Sequence, residues 1–390
     1  MIDLLSRLFI KDQNDFKNPK VRQKYGVLCG AAGIALNLLL FAGKIFAGLL
    51  SNSIAITADA FNNLSDAGSS IITLIGFRMA GQNPDPDHPF GHGRIEYISG
   101  LLVSIIILVM AFELIKSSVE KIFNPEELTY SPVILAILLA SILVKLYMAY
   151  YNRRISKKIN SSAMMATAVD SLSDSLATTV VLASTLVAHF TGLKIDAYCG
   201  VLVGLFICYA GINAARDTIN PLLGQAPDPE FVKQVNDIVL SYDGIIGIHD
   251  MIVHNYGPGR VLISLHAEVP ADGDILAIHD MIDLIEHRLH DTLHCSAVIH
   301  MDPICIGDEE TSRLSKIVEG YLKDIDPAIT MHDFRIVKGP THTNVIFDIV
   351  VPYNFHIPDN EIVKLLSERI QNENPNHFAV IEVDKQYVKP

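Results

Sequence analysis

The residues best suited to chemistry in this 390-residue chain sit where acids are least expected. Thr57-Ala-Asp-Ala-Phe-Asn-Asn-Leu-Ser-Asp66 lies inside a long apolar segment, Ser53 to Ala80. Asn62 and Asp66 are four apart, so a helix places them on one face, one turn apart. Asp59, three residues before Asn62, joins that face as a supporting group. A second apolar run repeats the device in Asp170-Ser-Leu-Ser-Asp174. A carboxylate in mid-membrane costs roughly 2.5–3.5 kcal/mol on insertion scales, so it marks function by default. Two helices offering Asn/Asp and Asp/Asp bring four oxygen donors together, which makes a cation site. The plainer alternative has these groups capping buried backbone or lining a water-filled packing defect. The same spacing in two spans weighs against it.

Two further constellations have metal-ligand character. The loop Asn83-Pro-Asp-Pro-Asp-His-Pro-Phe-Gly-His-Gly-Arg-Ile-Glu96 holds Asp85, His88 and His92 within eight residues, and imidazole with carboxylate at that spacing suits a cation. Pro89 and Gly91 make it a shaped loop; the alternative is a turn whose histidines cap the next helix. Further on, His249, His266, His279, His300 and Asp302 fall on separate predicted elements. His300 and Asp302 alternate on a strand and so point to one side. His254, His287, His290 and His294 read as solvated.

The elements that must position these groups divide the chain in two. Residues 26 to about 220 are strongly apolar and hold six stretches near the ~20 residues needed to span a bilayer. The spans are placed at Tyr25–Leu50, Ser53–Ala80, Arg94–Phe123, Pro132–Tyr151, Ser162–Phe190 and Ile195–Arg216. Gly26, Gly30, Gly33, Gly43 and Gly48 imply close helix packing in the first span, where Asn37 and Lys44 read as interhelical or snorkelling groups. Lys17, Lys20, Arg22 and Lys24 precede the first span, and Arg153, Arg154, Lys157 and Lys158 follow the fourth. By the positive-inside rule both termini are cytoplasmic. Residues 1–24 are a cytosolic lead-in with an amphipathic surface helix near Leu4–Ile10.

Residues 226–390 hold 27 Asp/Glu against 12 Lys/Arg, and the first 225 hold 16 against 18. An acidic tail excludes nucleic acid as partner and suits cations. The five cysteines form no Cys-x-x-Cys pair, which fits a reducing cytosol around the tail. After the linker Pro221–Pro229, a helix (Glu230–Tyr242), two strands (Gly247–Asn255, Arg260–Val269), a helix (Leu276–Leu289) and a strand (Ser296–Asp302) predict a small α+β sheet covered on one face. The pattern returns about 82 residues later: His249-Asp-Met-Ile-Val is echoed by His332-Asp-Phe-Arg-Ile-Val, and Ile299-His-Met-Asp302 by Ile381-Glu-Val-Asp384. Two tandem modules, 228–306 and 309–390, follow. The second has Asp348 for His266 and Glu382 for His300, so the expectation is that it has lost the metal cluster.

Taken together, Ala58-Asp-Ala-x-Asn62-x3-Asp66, the His-Pro-Phe-Gly-His-Gly-Arg loop, the second acid pair and His300-Met-Asp-Pro303 resemble the cation diffusion facilitator family of divalent-metal/proton antiporters, from about residue 15 to 306. The resemblance implies a multi-pass α-helical membrane domain (25–220) with six transmembrane helices. It adds a cytosolic ferredoxin-like α+β domain (221–306) through which the protein forms a homodimer; 307–390 is then a second, degenerate module of the same kind. The location is the cell (plasma or inner) membrane. Asn62, Asp66, Asp170 and Asp174 match the transport site. Asp85, His88 and His92 match a loop site, and His249, His266, His279, His300 and Asp302 match a binuclear cytosolic site. Either of the latter two would hold Mn²⁺ or Zn²⁺.

Zinc-carrying relatives usually have His or Asp at the position of Asn62 and His at that of Asp170. An all-oxygen set gives up affinity for zinc and copper relative to manganese, which tolerates oxygen ligands. The expected substrate is Mn²⁺, with Fe²⁺ second and Zn²⁺, Co²⁺ or Cd²⁺ after it, exchanged for protons held by the clustered acids. Mg²⁺ sheds water reluctantly. No phosphate-binding Gly-x4-Gly-Lys-Ser/Thr and no His-Glu-x-x-His occurs, so the reading is a secondary transporter and not an enzyme. A membrane-bound metal sensor is the rival class, and mid-membrane acids speak against it.

Overall fold

A computed structural model describes all residues except 1, 12–13, 17, 52–53, 125–131, 192–194, 305–307, 354 and 386–390; side chains are described except also at 3, 47–51, 54–59, 61, 133–134, 185, 188–189 and 196. The chain forms two compact units, Met1–Gln225 with Asn255–Arg260, and Ala226–His254 with Val261–Pro390.

The first unit is helical: α1 (Ile2–Phe9), α2 (Pro19–Ser51), α3 (Ile54–Ala80), α4 (Ile95–Phe123), α5 (Pro132–Ile159), α6 (Ser162–Thr191) and α7 (Asp196–Leu222). Asn18 starts α2: its side chain accepts the Lys20 N–H at 3.0 Å, with Pro19 just inside the helix where a missing N–H costs nothing. Among the described residues, four helices are long and apolar enough to cross a membrane, over Pro19–Phe46, Ile95–Phe123, Leu135–Ile159 and Ala197–Leu222. The two remaining long helices, α3 and α6, are the acid-bearing ones. α2 packs on α3, α4 on α7 and α5 on α6, and α6 also touches α4 and α7.

Three of the five glycines named in α2 lie against α3. A Cβ at Gly26 would fall 2.1 Å from the Phe77 ring, one at Gly30 2.8 Å from Leu74 Cβ and one at Gly33 2.7 Å from Ser70 Oγ; Gly43 faces open space. Gly48 lies outside the described side chains. Lys44 donates to Asn63 Oδ1 at 2.6 Å, the interhelical role expected of it. α1 is more than a surface helix. Its Ile2, together with Ile10 just beyond its end, is buried with Val21, Tyr25 and Ile155.

Arg22 ties three helix ends together. Its guanidinium donates to both Glu96 oxygens at 2.5 and 2.8 Å, to the Ile159 carbonyl at 2.5 Å and to the Asn160 carbonyl at 2.9 Å. The start of α2, the start of α4 and the end of α5 are therefore joined at one level.

The second unit contains α8 (Pro229–Val239), β1 (Gly247–Asn255), β2 (Val261–Pro270), α9 (Ile275–Leu293) and β3 (Cys295–Ile304). These are followed by α10 (Glu309–Ile325), β4 (Thr330–Lys338), β5 (Thr343–Val351), α11 (Asp359–Glu373) and β6 (His377–Lys385). Asp228, Asp274 and Asp308 cap the helices they precede. The strands make two three-stranded sheets, β1-β2-β3 and β4-β5-β6. β2 runs parallel to β3, and β5 to β6.

Each sheet has its own core. Ile263, Leu265 and Ala267 on β2 pack with Val235 and Val239 of α8 and Ile285 and Leu289 of α9. Val345, Phe347, Ile349 and Val351 on β5 pack with residues of α10 and α11. Alternation then sends the intervening side chains to the opposite face of each sheet. That is where the histidines and acids lie.

Candidate functional site

The paired acids of α3 and α6 converge. Asn62 and Asp66 on α3 and Asp170 and Asp174 on α6 line one cavity of about 470 Å³. Asp66 and Asp170 are 6% and 5% exposed, while Asn62 is the open member of the set. Thr73 and Thr167 hydroxyls, 2.8 Å apart, fix the register of α3 on α6 two turns from Asp66 and one from Asp170. Asp59 has its side chain outside the described residues.

The group that sequence reasoning missed is Lys145 on α5. Its ammonium lies 2.6 Å from Asp66 Oδ2 and 2.7 Å from Asp174 Oδ2, and its side chain is almost fully buried. A cation of the protein's own thus sits among the three carboxylates. The signal was available: a lone lysine in the apolar run Ser141-Ile-Leu-Val-Lys145-Leu is itself an intramembrane charge that needs a partner.

The loop residues also meet. His88 Nδ1 and His92 Nε2 each lie 3.3 Å from a different oxygen of Asp85. Their rings are 4.6 Å apart, centroid to centroid. Asp85 Oδ1 also accepts the backbone N–H of His88 at 2.7 Å, which with the neighbouring imidazoles holds its carboxyl below the ordinary carboxylate range. Neither histidine caps α4, whose first residues carry no side-chain cap. The Nε2 of His92 is the nitrogen turned toward Asp85, while its Nδ1 is buried without a hydrogen-bond partner.

On the open face of the first sheet, His266 stands opposite His300 and Glu268 opposite Asp302. Asp302 gathers the cluster: His249 Nε2 at 3.1 Å, His266 Nδ1 at 2.9 Å and His300 Nε2 at 3.3 Å. His249 Nε2 is close to Asp302 but not aligned for a hydrogen bond, so the contact fits a shared ion better than an N–H···O bond. Burial works against protonation of His249, but the hydrogen bond and charge of Asp250, with Asp302 and Glu268, outweigh it and raise its pKa. His279 is not brought to the cluster. It is exposed on α9, which covers the apolar face of the sheet and not the histidine face. His254, His287, His290 and His294 are exposed, as expected.

Residues 309–390, expected to have lost the metal cluster, still gather titratable groups. His332, Asp348 and Asp384 come together there, and Asp250 reaches them from β1. Reading each sheet alone could not reveal an acid contributed by the other. Burial, and then Asp333, Asp384, Glu382 and Asp250 as neighbours, raise the Asp348 pKa to about 6. Burial lowers that of His332.

Residues 31–223 match the cation efflux transmembrane domain, and residues 227–304 match the cytoplasmic domain of cation efflux proteins. The chain is 33% identical over 267 residues to an uncharacterised transporter of Methanocaldococcus jannaschii, covering 68% of this chain and 94% of the relative. It is 30% identical over 284 residues to the manganese efflux system protein MneS of Bacillus subtilis, covering 72% and 97%. To the cation-efflux pump FieF of Escherichia coli it is 26% identical over 297 residues, covering 75% and 99%. Paired intramembrane acids joined to an acidic α/β unit, with matches across both parts, lead to one conclusion: the chain belongs to the cation efflux, or cation diffusion facilitator, family of integral-membrane divalent-metal transporters.

Proposed function

We propose that this transporter carries Mn²⁺ out of the cytosol in exchange for protons, through Asn62, Asp66, Asp170 and Asp174. The observation that carries the reading is the donor set: the Asn62 amide and the carboxylates of Asp66, Asp170 and Asp174 line a single cavity, which Asn63 and Glu113 also border, with no histidine among the described lining residues. Manganese accepts oxygen ligands and is weakest in the Irving–Williams order, so a site without imidazole sacrifices least with it. The manganese efflux protein among the relatives supports the same choice.

Lys145 sharpens the exchange. Asp66, Asp170 and Asp174 ionised beside the Lys145 ammonium leave two negative charges, Lys44 and Glu113 of the same cavity offsetting one another; either a divalent cation or two protons cancel them. Alternation between those two neutral states carries metal one way and two protons the other. Metal must also draw Asp66 and Asp174 away from the ammonium, so Lys145 acts as a tethered competitor for the site.

In this reading α2–α7 are six spans with both chain ends in the cytosol, in the cell membrane. The loop site Asp85/His88/His92 and the site at His249, His266, His300 and Asp302 bind Mn²⁺ or Zn²⁺ on the cytosolic side. Residues 227–304 pair two chains into a homodimer, and 228–306 and 309–390 are tandem copies of one module. Their matching strand order and parallel pairing support the duplication.

The test is competitive uptake of Mn²⁺, Fe²⁺ and Zn²⁺ into proteoliposomes, with Asn62→His alongside. The expected result is preference for Mn²⁺ in the parent and a shift toward Zn²⁺ in the variant. A parent that favours Zn²⁺ would overturn the choice of metal.

A further inference from the structure

We propose that Asp250, His332, Asp348 and Asp384 form a second divalent-cation site in the C-terminal unit, which fastens residues 309–390 to residues 226–304 within one chain. One ligand atom from each of the four groups lies within 4.8 Å of every other. Ligand atoms about 2.0–2.2 Å from a common tetrahedral ion are separated by roughly 3.3–3.6 Å, so side-chain closure by up to about 1 Å seats a cation.

The imidazole distinguishes this group from an ordinary acidic patch. The His332 side chain is only 10% exposed, and both of its ring nitrogens are buried with no hydrogen-bond partner. Nε2 faces Asp250 Oδ1 at 3.5 Å and Asp384 Oδ2 at 3.7 Å, too far for hydrogen bonds. A buried polar group left in this state costs roughly 1–3 kcal/mol. A cation between Nε2 and the two carboxylates removes that cost at Nε2 and offsets the repulsion among the acids.

The backbone delivers the ligands from four strand positions. His332 pairs with Asp348 across β4 and β5, and Asp348 pairs with Glu382 on β6, two residues before Asp384. Asp250 adopts a left-handed backbone, φ 51°, which breaks the regular alternation of β1. It therefore stands beside His249, with Asp250 Oδ2 3.3 Å from His249 Nδ1, while its other oxygen turns to His332. The rings of His249 and His332 stack at 4.4 Å. Consecutive residues thus serve two different clusters, His249 the one at Asp302 and Asp250 the one at Asp384. A cavity of about 590 Å³, lined by His300, Asp302, Asp333, Arg335, Asp348 and Glu382, adjoins the cluster at Asp348.

Three carboxylates and one imidazole are an oxygen-rich set suited to Mn²⁺ and other hard or borderline divalent ions. Because each sheet supplies ligands, occupancy stabilises their mutual arrangement by linkage.

The experiment counts Mn²⁺ bound to the full-length protein in detergent, after chelator stripping, by equilibrium dialysis and elemental analysis. Asp384→Asn and His332→Gln are each expected to bind one ion fewer per chain. The same loss is expected in a His300→Ala background, where the neighbouring cluster is already impaired. If Asp384→Asn does not fold, as judged by gel filtration and circular dichroism, His332→Gln carries the count with both ring nitrogens removed. An unchanged count in a folded variant, or a loss that vanishes in the His300→Ala background, would overturn the second site. Mn²⁺ uptake by the same variants in vesicles tests the transport reading separately, because none of these substitutions touches the membrane acids.

Discussion

Replacing Lys145 by Gln should turn an electroneutral exchange into an electrogenic one. The ammonium lies 2.6 and 2.7 Å from oxygens of Asp66 and Asp174. At an effective dielectric constant of about 20, each contact is worth roughly 6 kcal/mol before desolvation. No rearrangement of neutral neighbours replaces that. Without it, three carboxylates need three protons to reach neutrality, against two charges on the metal. One net charge then crosses per cycle, and 100 mV acts on it with about 2.3 kcal/mol, a shift of roughly 50-fold in the metal ratio at equilibrium. The assay is Mn²⁺ accumulation in proteoliposomes clamped at different potentials with potassium and valinomycin, with proton movement read in parallel. The parent should ignore the potential, Lys145→Arg should behave as the parent, and Lys145→Gln should follow the potential. A parent that responds with one full charge, or a transporting Lys145→Gln that does not respond, refutes the charge balance.

Other expectations concern the scaffold. Arg22→Ala removes the cation that Glu96 is buried against and leaves two carbonyls short of a donor. It should cost about 3–5 kcal/mol, seen as a lower apparent Tm in detergent. Gly30→Ala forces a methyl group against Leu74 and should cost about 1–3 kcal/mol, whereas Gly43→Ala, facing open space, should stay within about 0.5 kcal/mol by the same melt. Asp308 caps α10, and the Thr311 hydrogen bond holds its carboxyl below the ordinary range. A depressed folded-state pKa contributes stability above the unfolded value of about 3.9, lost as pH falls through the folded value. Asp308→Asn should therefore flatten the acid limb of thermal melts.

The elements were largely legible because their signals are local. Asp228, Asp274 and Asp308 stand where helices begin, and alternation on β2 and β5 separates core residues such as Leu265 and Phe347 from site residues such as His266 and Asp348. The i, i+4 acids were legible for the same reason, and the cavity joins them as the spacing implied. Hydropathy alone ends the fourth span near Tyr151, yet α5 runs to Ile159. Arg153, Arg154, Lys157 and Lys158 are good helix formers, so the helix outlasts the apolar run.

What stayed hidden depends on contacts distant in sequence. Lys145 has no periodic partner on its own helix and gains meaning only against Asp66 and Asp174. Asp250 reads as the neighbour of a ligand until β4 brings His332 to it. His279 has the right chemistry, but α9 holds it on the wrong side of the sheet.

The central claim is that the three membrane carboxylates exchange a divalent metal for protons. The most direct measurement is Mn²⁺-driven proton flux in proteoliposomes carrying Asp174→Asn, a change that keeps the size of the side chain and removes its charge. The account predicts that Mn²⁺ no longer drives protons across the membrane although the protein folds and inserts. Proton flux equal to that of the parent would contradict it.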